Sequence, residues 1–484
     1  MAVRRVAFPE AIVCYAAGNN TKAASPLASK FFCGIILMQK IFRVQCPILT
    51  KRKRITKTIM KRLLHFLSLG LLWILSCLTI SGCTSAQTPL SYFRTGLTTY
   101  HELLDDVIGQ RSEDALFSSA ADLSPSVSSV TEDLTATSST PLYADYSYYL
   151  SALESDEAEN FQALYAGIQA FEDTIALPVA TSSEEISDLM HLLANECPEL
   201  LQLSSRWVEH SNLLGLVVSV SPEYTLSKET FDAQTAAINA LIQNWQAALS
   251  GQSAYQAELT IYNYIIENCV YSTQAENCQS AYGALIGGQA KCDGRAKALV
   301  WGLRSLGIKS SVITGSTHAW VIAHIGDFDY NVDPTYDDNE NDGIQQPLCY
   351  AYFNVPESTI ASDPYPADDF YQRRGYPATT RWDLNYHVQS GLWISADTPD
   401  SNPASGTALD RARALFVAQA ENVWESGSEG LVMIRFESVS DYSEAAASYN
   451  SWIQSFINMH AAGCNLVSYD FSNQQLLAVK LSFY

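Results

Sequence analysis

The sequence predicts an α+β protein: a helix carrying a cysteine, antiparallel strands carrying a histidine and an aspartate, and a small α/β unit at the C-terminus. Three observations predict it. An apolar-periodic run opens at Cys292 and closes at Gly307. A period-two pattern then folds back on itself at Gly326-Asp327. Beyond a Pro/Ser-rich break at 398–407, the pattern reads α-β-α-β-β.

A chain of 484 residues has room for two or three domains, and 47% hydrophobic content excludes whole-chain disorder. The net charge of −22 hides an asymmetry. Residues 1–59 hold eleven bases against one acid, and 60–82 add two bases. Residues 83–484 therefore carry 29 − 13 = 16 bases against 51 − 1 = 50 acids, a net of −34. So acidic a body repels phosphate backbones, and no nucleic-acid partner is expected.

From Met60 the chain reads as a secretory signal peptide: Lys61 and Arg62, an apolar stretch from Leu63 to Leu78, then small residues. Ile80-Ser81-Gly82-Cys83 resembles a bacterial lipobox, whose cysteine is lipidated and becomes the new N-terminus. The stretch is also long enough to span a bilayer uncleaved, but small residues abutting a cysteine favour the lipoprotein. Export signals do not normally begin at residue 60, so 1–59 is expected to be a start-site misassignment. The expected location is extracytoplasmic, on a bacterial membrane, anchored through Cys83.

Residues 83–142 are expected to be a tether, because 118–140 hold twelve Ser/Thr and no Lys or Arg. Helices follow at about 143–175 and 183–195, then a strand at Leu213–Val220. Two more helices are expected, Ser227–Leu249 and Glu258–Val270. This organises 143–395 as one domain with its core at 255–340. The C-terminal unit, 408–484, reads helix 409–424, strand Gly430–Phe436, helix Ser443–His460, and strands Asn465–Phe471 and Leu476–Phe483. Its blandest reading is an accessory domain.

The chemistry sits between Gly287 and Asp338. Ala296, Leu299, Val300, Leu303 and Leu306 form one stripe, which places Cys292 at a helix N-terminus and Gly307 at its C-terminal cap. A thiol there feels the positive end of the helix dipole. Taken alone, a buried inert cysteine would be the better reading. With the hairpin turn at Gly326-Asp327, Ile325 faces Phe328, Ala323 faces Tyr330 and Val321 faces Val332, all on one apolar face. The other, polar, face carries His318, Trp320, Ile322, His324, Asp329, Asn331 and Asp333. Asp333 falls opposite Trp320 and diagonal to His318, close enough for their side chains to meet. A nucleophile, a base and an orienting carboxylate are thus assembled as Cys292, His318 and Asp333. His324 opposite Asp329 is a second His–Asp pair, read as a surface pair.

Four blocks in order carry a family resemblance: Cys292-x-Gly294-x-Ala296, Leu306-Gly307-Ile308, His318-Ala319-Trp320 and Asp333-Pro334-Thr335. The stretch resembles the transglutaminase-like superfamily, a papain-like cysteine fold, and the likeness to bacterial cell-surface members extends over roughly 185–390. It implies Cys292, His318 and Asp333 as catalytic residues. Arg295 stands where the family often has an aromatic, and Val321 where Asn often follows His-Ala-Trp. An oxyanion hole would use the Cys292 backbone N–H plus a second donor. Gln279, Tyr282 and Gln289 are candidates for it, and Trp320 is a further candidate for oxyanion or substrate contact.

No cofactor is expected. Six cysteines follow Cys83 without a CxxC pair, so neither a zinc site nor a dense disulfide framework is expected. Asp338-Asn339-Glu340-Asn341-Asp342-Gly343 mimics the start of a calcium loop, but position twelve is Cys349 where a bidentate Glu is required. The expected function is a surface-anchored cysteine enzyme acting on an amide or peptide carbonyl through a thioester, a peptidase or amidase if water accepts the acyl group, a transglutaminase if an amine does. Peptides, proteins or cell-wall peptides are the reachable substrates. The alternative is a catalytically weak module for binding or scaffolding at the cell surface.

Overall fold

The computed structural model describes residues 126–127, 141–338, 347–360, 366–395 and 406–484, with the backbone of 340–341 and 344–345. The expected signal peptide, the lipidation site Cys83 and the 1–59 extension lie outside the described residues, as does most of the Ser/Thr-rich stretch. Within that stretch the tether expectation fails at Ser126–Val127. The Val127 N–H donates to the Gln252 carbonyl at 2.8 Å, and its side chain is buried in the core.

The N-terminal part builds α1 (Ser155–Gln169), β1 (Ile175–Thr181), α2 (Ser183–Glu196), β2 (Leu203–Ser211) and β3 (Val217–Tyr224). The expected long helix at 143–175 is two 3-10 turns and then α1. The expected strand at Leu213–Val220 is also corrected. Leu213 and Leu214 lie in a hairpin turn, 106% and 84% exposed, and β2 and β3 pair antiparallel around it. Asn212 makes the turn: its side-chain oxygen accepts from the N–H groups of Leu214 and Leu216, and Gly215 takes φ +79°.

Next come α3 (Lys228–Leu249), α4 (Ala254–Asn268), the short strand β4 (Val270–Tyr271), the single-turn α5 (Ala281–Leu285) and β5 (Gln289–Ala290), which pairs parallel with β4. α6 (Cys292–Ser305) follows and ends in a Schellman motif. There the Gly307 N–H donates to the Arg304 carbonyl, the Ile308 N–H reaches the Leu303 carbonyl, and Gly307 sits at φ +77°. Then β6 (Ser310–Thr314), β7 (Ala319–Ile325) and β8 (Phe328–Val332) form an antiparallel sheet in that order. The β7–β8 register pairs Ile325 with Phe328, Ala323 with Tyr330 and Val321 with Val332, as the alternation requires.

The polar face of this sheet is covered as well as the apolar one. Val321, Ala323, Tyr330 and Val332 pack with Ile261, Leu299 and Leu303 in one core. Ile313, Trp320 and Ile322 pack on the opposite side with Leu189 and Leu193 of α2 and with Ala351 and Tyr371. Each large apolar side chain so enclosed gains about 1.5–3 kcal/mol over exposure. The polar groups caught between survive because they are paired: Asn331 accepts from the Trp320 indole at 3.0 Å and from the Tyr376 hydroxyl at 2.9 Å, and donates to Thr379 at 2.6 Å.

The C-terminal part begins before the Pro/Ser-rich break. β9 (Trp393–Ile394) pairs parallel with β10 (Glu429–Phe436), in a sheet completed by β11 (Cys464–Phe471) and β12 (Leu476–Phe483). α7 (Ala408–Ser426) and α8 (Val439–His460) cover one face with Phe416, Trp452 and Phe456. Met433, Leu476 and Ala478 join the core that holds Trp320, and Arg435 donates to the Ala351 carbonyl at 2.7 Å.

Candidate active site

Cys292 is the first residue of α6, buried to 9% exposure. Gly294 lets the chain approach there: a Cβ on it would stand 2.5 Å from the Cys278 carbonyl oxygen and 3.0 Å from that of Ser280. The Lys291 N–H donates to the same Cys278 carbonyl at 3.0 Å, so the turn before α5 is laced to the start of α6. Lys291 occupies the N-cap and supplies no side-chain acceptor, so the first turn keeps N–H groups without a side-chain cap.

His318 immediately precedes β7 and is buried to 8% exposure. Its Nε2 lies 2.5 Å from Asp333 Oδ2, and it hydrogen-bonds Cys292. With Nε2 committed to the carboxylate, the nitrogen that meets the thiol is Nδ1. Burial works against the imidazolium. Asp333's charge and hydrogen bond, followed by those of Cys292, outweigh it and raise His318 to about 10. The ring stacks on Tyr336, centroids 4.1 Å apart and 10° from parallel, and lies nearly parallel to Trp320 at 6.1 Å.

Asp333 is wholly buried and fully engaged. Its Oδ1 accepts from the N–H groups of Thr335 at 2.8 Å and Tyr336 at 3.1 Å, which leaves Oδ2 for His318. Its backbone N–H donates to the Tyr352 carbonyl, and its carbonyl accepts from the Tyr262 hydroxyl at 3.2 Å. The structure therefore brings Cys292, His318 and Asp333 together. The rival pair, His324 and Asp329 at 2.8 Å, stands beside the hairpin turn, partly exposed, with Tyr148 donating to the same carboxylate oxygen.

The candidates for oxyanion and substrate contact fare unequally. Trp320 is corrected: its indole N–H is spent on Asn331 and the ring is 1% exposed, so it shapes the wall behind His318 and presents no donor to a substrate. Gln279 is exposed beside α6, its carbonyl accepting from Lys297 at 3.1 Å. Gln289 is exposed in β5, and Tyr282 packs half-buried at the core edge. Val321 faces the core with no exposure, so the family's frequent Asn has no polar environment to occupy here.

Sequence reasoning missed Tyr336 and Tyr271. Tyr271 is 42% exposed, close enough to Cys292 for the thiol, after burial, to raise its phenol while Arg295 opposes. Tyr336 sits in the turn after Asp333 and Tyr271 ends the two-residue strand β4, both too short for periodicity to announce a direction. Arg295 is wholly buried and pairs with Asp338. The remaining residues of the calcium-like stretch, 339–346, have side chains outside the description. The cysteines from Cys197 to Cys464 are all free thiols.

Residues 243–334 match the family model of the transglutaminase-like superfamily. The chain carries a transglutaminase-like core. No curated protein sequence matches the chain. Among solved structures it is similar to a TGase, with 14% identity over 37% of this chain and 53% of the other, at a TM-score of 0.21. A candidate cysteine protease from Cytophaga hutchinsonii is similar at 15% identity, over 38% of this chain and 69% of the other, at a TM-score of 0.20. The match thus spans about half the length of the TGase. The matched segment ends at Pro334, directly after Asp333, so it includes Cys292, His318 and Asp333.

Proposed function

We propose that the transglutaminase-like core is a cysteine enzyme that cleaves or transfers an amide or peptide acyl group through a thioester. The observation that carries this reading is the buried chain Cys292–His318–Asp333, with the carboxylate 2.5 Å from Nε2. In it, His318 takes the thiol proton on Nδ1 and the thiolate attacks the carbonyl carbon. The tetrahedral oxyanion is met by the Cys292 N–H at the uncapped helix start. His318 then returns the proton to the departing amine as the C–N bond breaks, leaving the thioester. Water or a second amine, deprotonated by the now neutral His318, attacks the thioester and releases Cys292. Asp333 fixes the tautomer and stabilises the imidazolium throughout. The substrate reading follows from the expected lipid anchor at Cys83: extracellular or cell-wall peptides.

Thiol alkylation of the purified protein across pH 5 to 9 tests it, comparing wild type with Cys292→Ser and His318→Ala. One thiol that alkylates fast at neutral pH, abolished by Cys292→Ser and slowed by His318→Ala, is the expected result. A Cys292 that alkylates like an ordinary thiol refutes the enzyme reading and leaves a binding module.

A further inference from the structure

Arg295 lies one turn into α6 from Cys292, wholly buried, where a cation needs a reason. Its guanidinium reaches three acceptors in two separate segments. Nη1 donates to the Pro334 carbonyl at 3.2 Å; Nη2 donates to the Cys269 carbonyl at 2.6 Å and to the Asp338 carboxylate. Pro334 and Asp338 are the two ends of the turn that follows Asp333, and the Asp338 N–H closes that turn on the Thr335 carbonyl at 3.2 Å. Inside it lie the two N–H groups that hold Asp333 Oδ1 and the Tyr336 ring stacked on His318. The two N–H groups that orient Asp333 and the ring stacked on His318 thus lie in a turn clasped at both ends by one side chain, and that side chain grows from the helix that carries Cys292.

We propose that Arg295, with Asp338, is a positioning pair that sets the distance between the Cys292 helix and the Asp333 turn, and so holds His318 between thiol and carboxylate. The inference rests on the reading of the site given above and deepens it. The fork geometry is what the task requires. A planar guanidinium offers several donors in fixed directions, so it can hold two carbonyls and a carboxylate at once, whereas an ammonium is a point charge. An aromatic at 295 would fill the space and hold neither end of the turn.

The titratable groups that act on His318 are Asp333 and Cys292, with Tyr336 against its ring. The readout is therefore the His318 proton itself, followed by NMR through the imidazole carbon between the two nitrogens, with alkylation of Cys292 measured in parallel. The variants are Arg295→Phe with Asp338→Asn, changed together so that no buried charge is left unpaired, and Arg295→Lys, which keeps the ion pair but cannot span both carbonyls. In wild type His318 should hold its proton to about pH 10. In the double variant the midpoint should fall by at least one pH unit and alkylation at neutral pH should slow at least tenfold, with Arg295→Lys between. A variant that melts earlier but keeps the wild-type His318 midpoint and alkylation rate shows a merely structural arginine and overturns the proposal. Should the double variant not fold, an unchanged midpoint in Arg295→Lys overturns it as well. A wild-type His318 that titrates near its ordinary value, with slow Cys292 alkylation, refutes the enzyme reading itself and this inference with it.

Discussion

Gly294→Ala isolates the role of close packing at the nucleophile. The new methyl would lie 2.5 Å from the Cys278 carbonyl oxygen, 3.0 Å from that of Ser280 and 3.0 Å from the Ala290 side chain. Ordinary contact begins at 3.4 Å, so the deepest overlap is 3.4 − 2.5 = 0.9 Å. Two of the three obstacles are backbone, and the Cys278 carbonyl also accepts from the Lys291 N–H, next to Cys292. The chain must therefore separate there by most of an ångström, at a cost of about 1–3 kcal/mol as in other overpacked interiors. A misplacement of about 1 Å lowers a reaction that depends on alignment by about a hundredfold. Gly302→Ala is the matched control. Its methyl would stand 2.9 Å from Ile261 and 3.0 Å from Trp245, both side chains, in the helix interface away from the thiol. Urea unfolding and the rate of Cys292 alkylation at neutral pH should then divide the pair. Both variants lose stability, and only Gly294→Ala loses reactivity by tenfold or more. Equal reactivity in the two, or a Gly294→Ala protein within about 0.5 kcal/mol of wild type, would refute the packing argument.

Two other perturbations follow from buried charges. Arg304 and Glu196 form an enclosed ion pair, with Ser147 and Ser311 donating to the same carboxylate oxygen at 2.6 and 2.8 Å. Arg304→Met strands the carboxylate and should cost about 3–5 kcal/mol in urea unfolding, while Arg304→Met with Glu196→Leu recovers much of the loss. Glu258 is buried against Asn354 at 2.7 Å, and burial raises it to about 8 despite that bond. A raised carboxyl favours the folded state while protonated, so its contribution is complete below the unfolded pKa of about 4.3 and is lost as pH rises through about 8. Stability measured from pH 5 to 9 should decline along this window in wild type and flatten in Glu258→Gln; an unchanged slope would show the carboxyl to be ionised throughout.

The elements with the strongest local signals were legible in the sequence. Gly307 closed the Cys292 helix because only a residue free to take φ +77° ends it in a Schellman turn. The β7–β8 register followed from alternation around Gly326, since a one-residue slip would have turned Asp333 to the wrong face. The C-terminal α-β-α-β-β order followed in the same way, with Ser438 and Thr407 as side-chain caps for its helices. What local pattern could not supply was what lies across space. Leu213 and Leu214 read as strand because their apolarity is local, while the Asn212 side chain that bends them into a turn acts through hydrogen bonds.

The sequence by itself determined which residues could do chemistry and on which elements they ride: Cys292 opening a helix, His318 and Asp333 sharing one face of a hairpin. Only the tertiary structure decided what surrounds them. Burial of that face under α2 and under residues of 351–360 and 366–371 makes it an enclosed site, and commits the Trp320 indole to Asn331. The same enclosure lets Arg295 tie the Asp333 turn to the Cys292 helix across 39 and 43 residues of chain. Periodicity reports a residue's direction relative to its own backbone; the second layer that meets it comes from segments well outside the hairpin, α2 among them, and no local pattern encodes that distance.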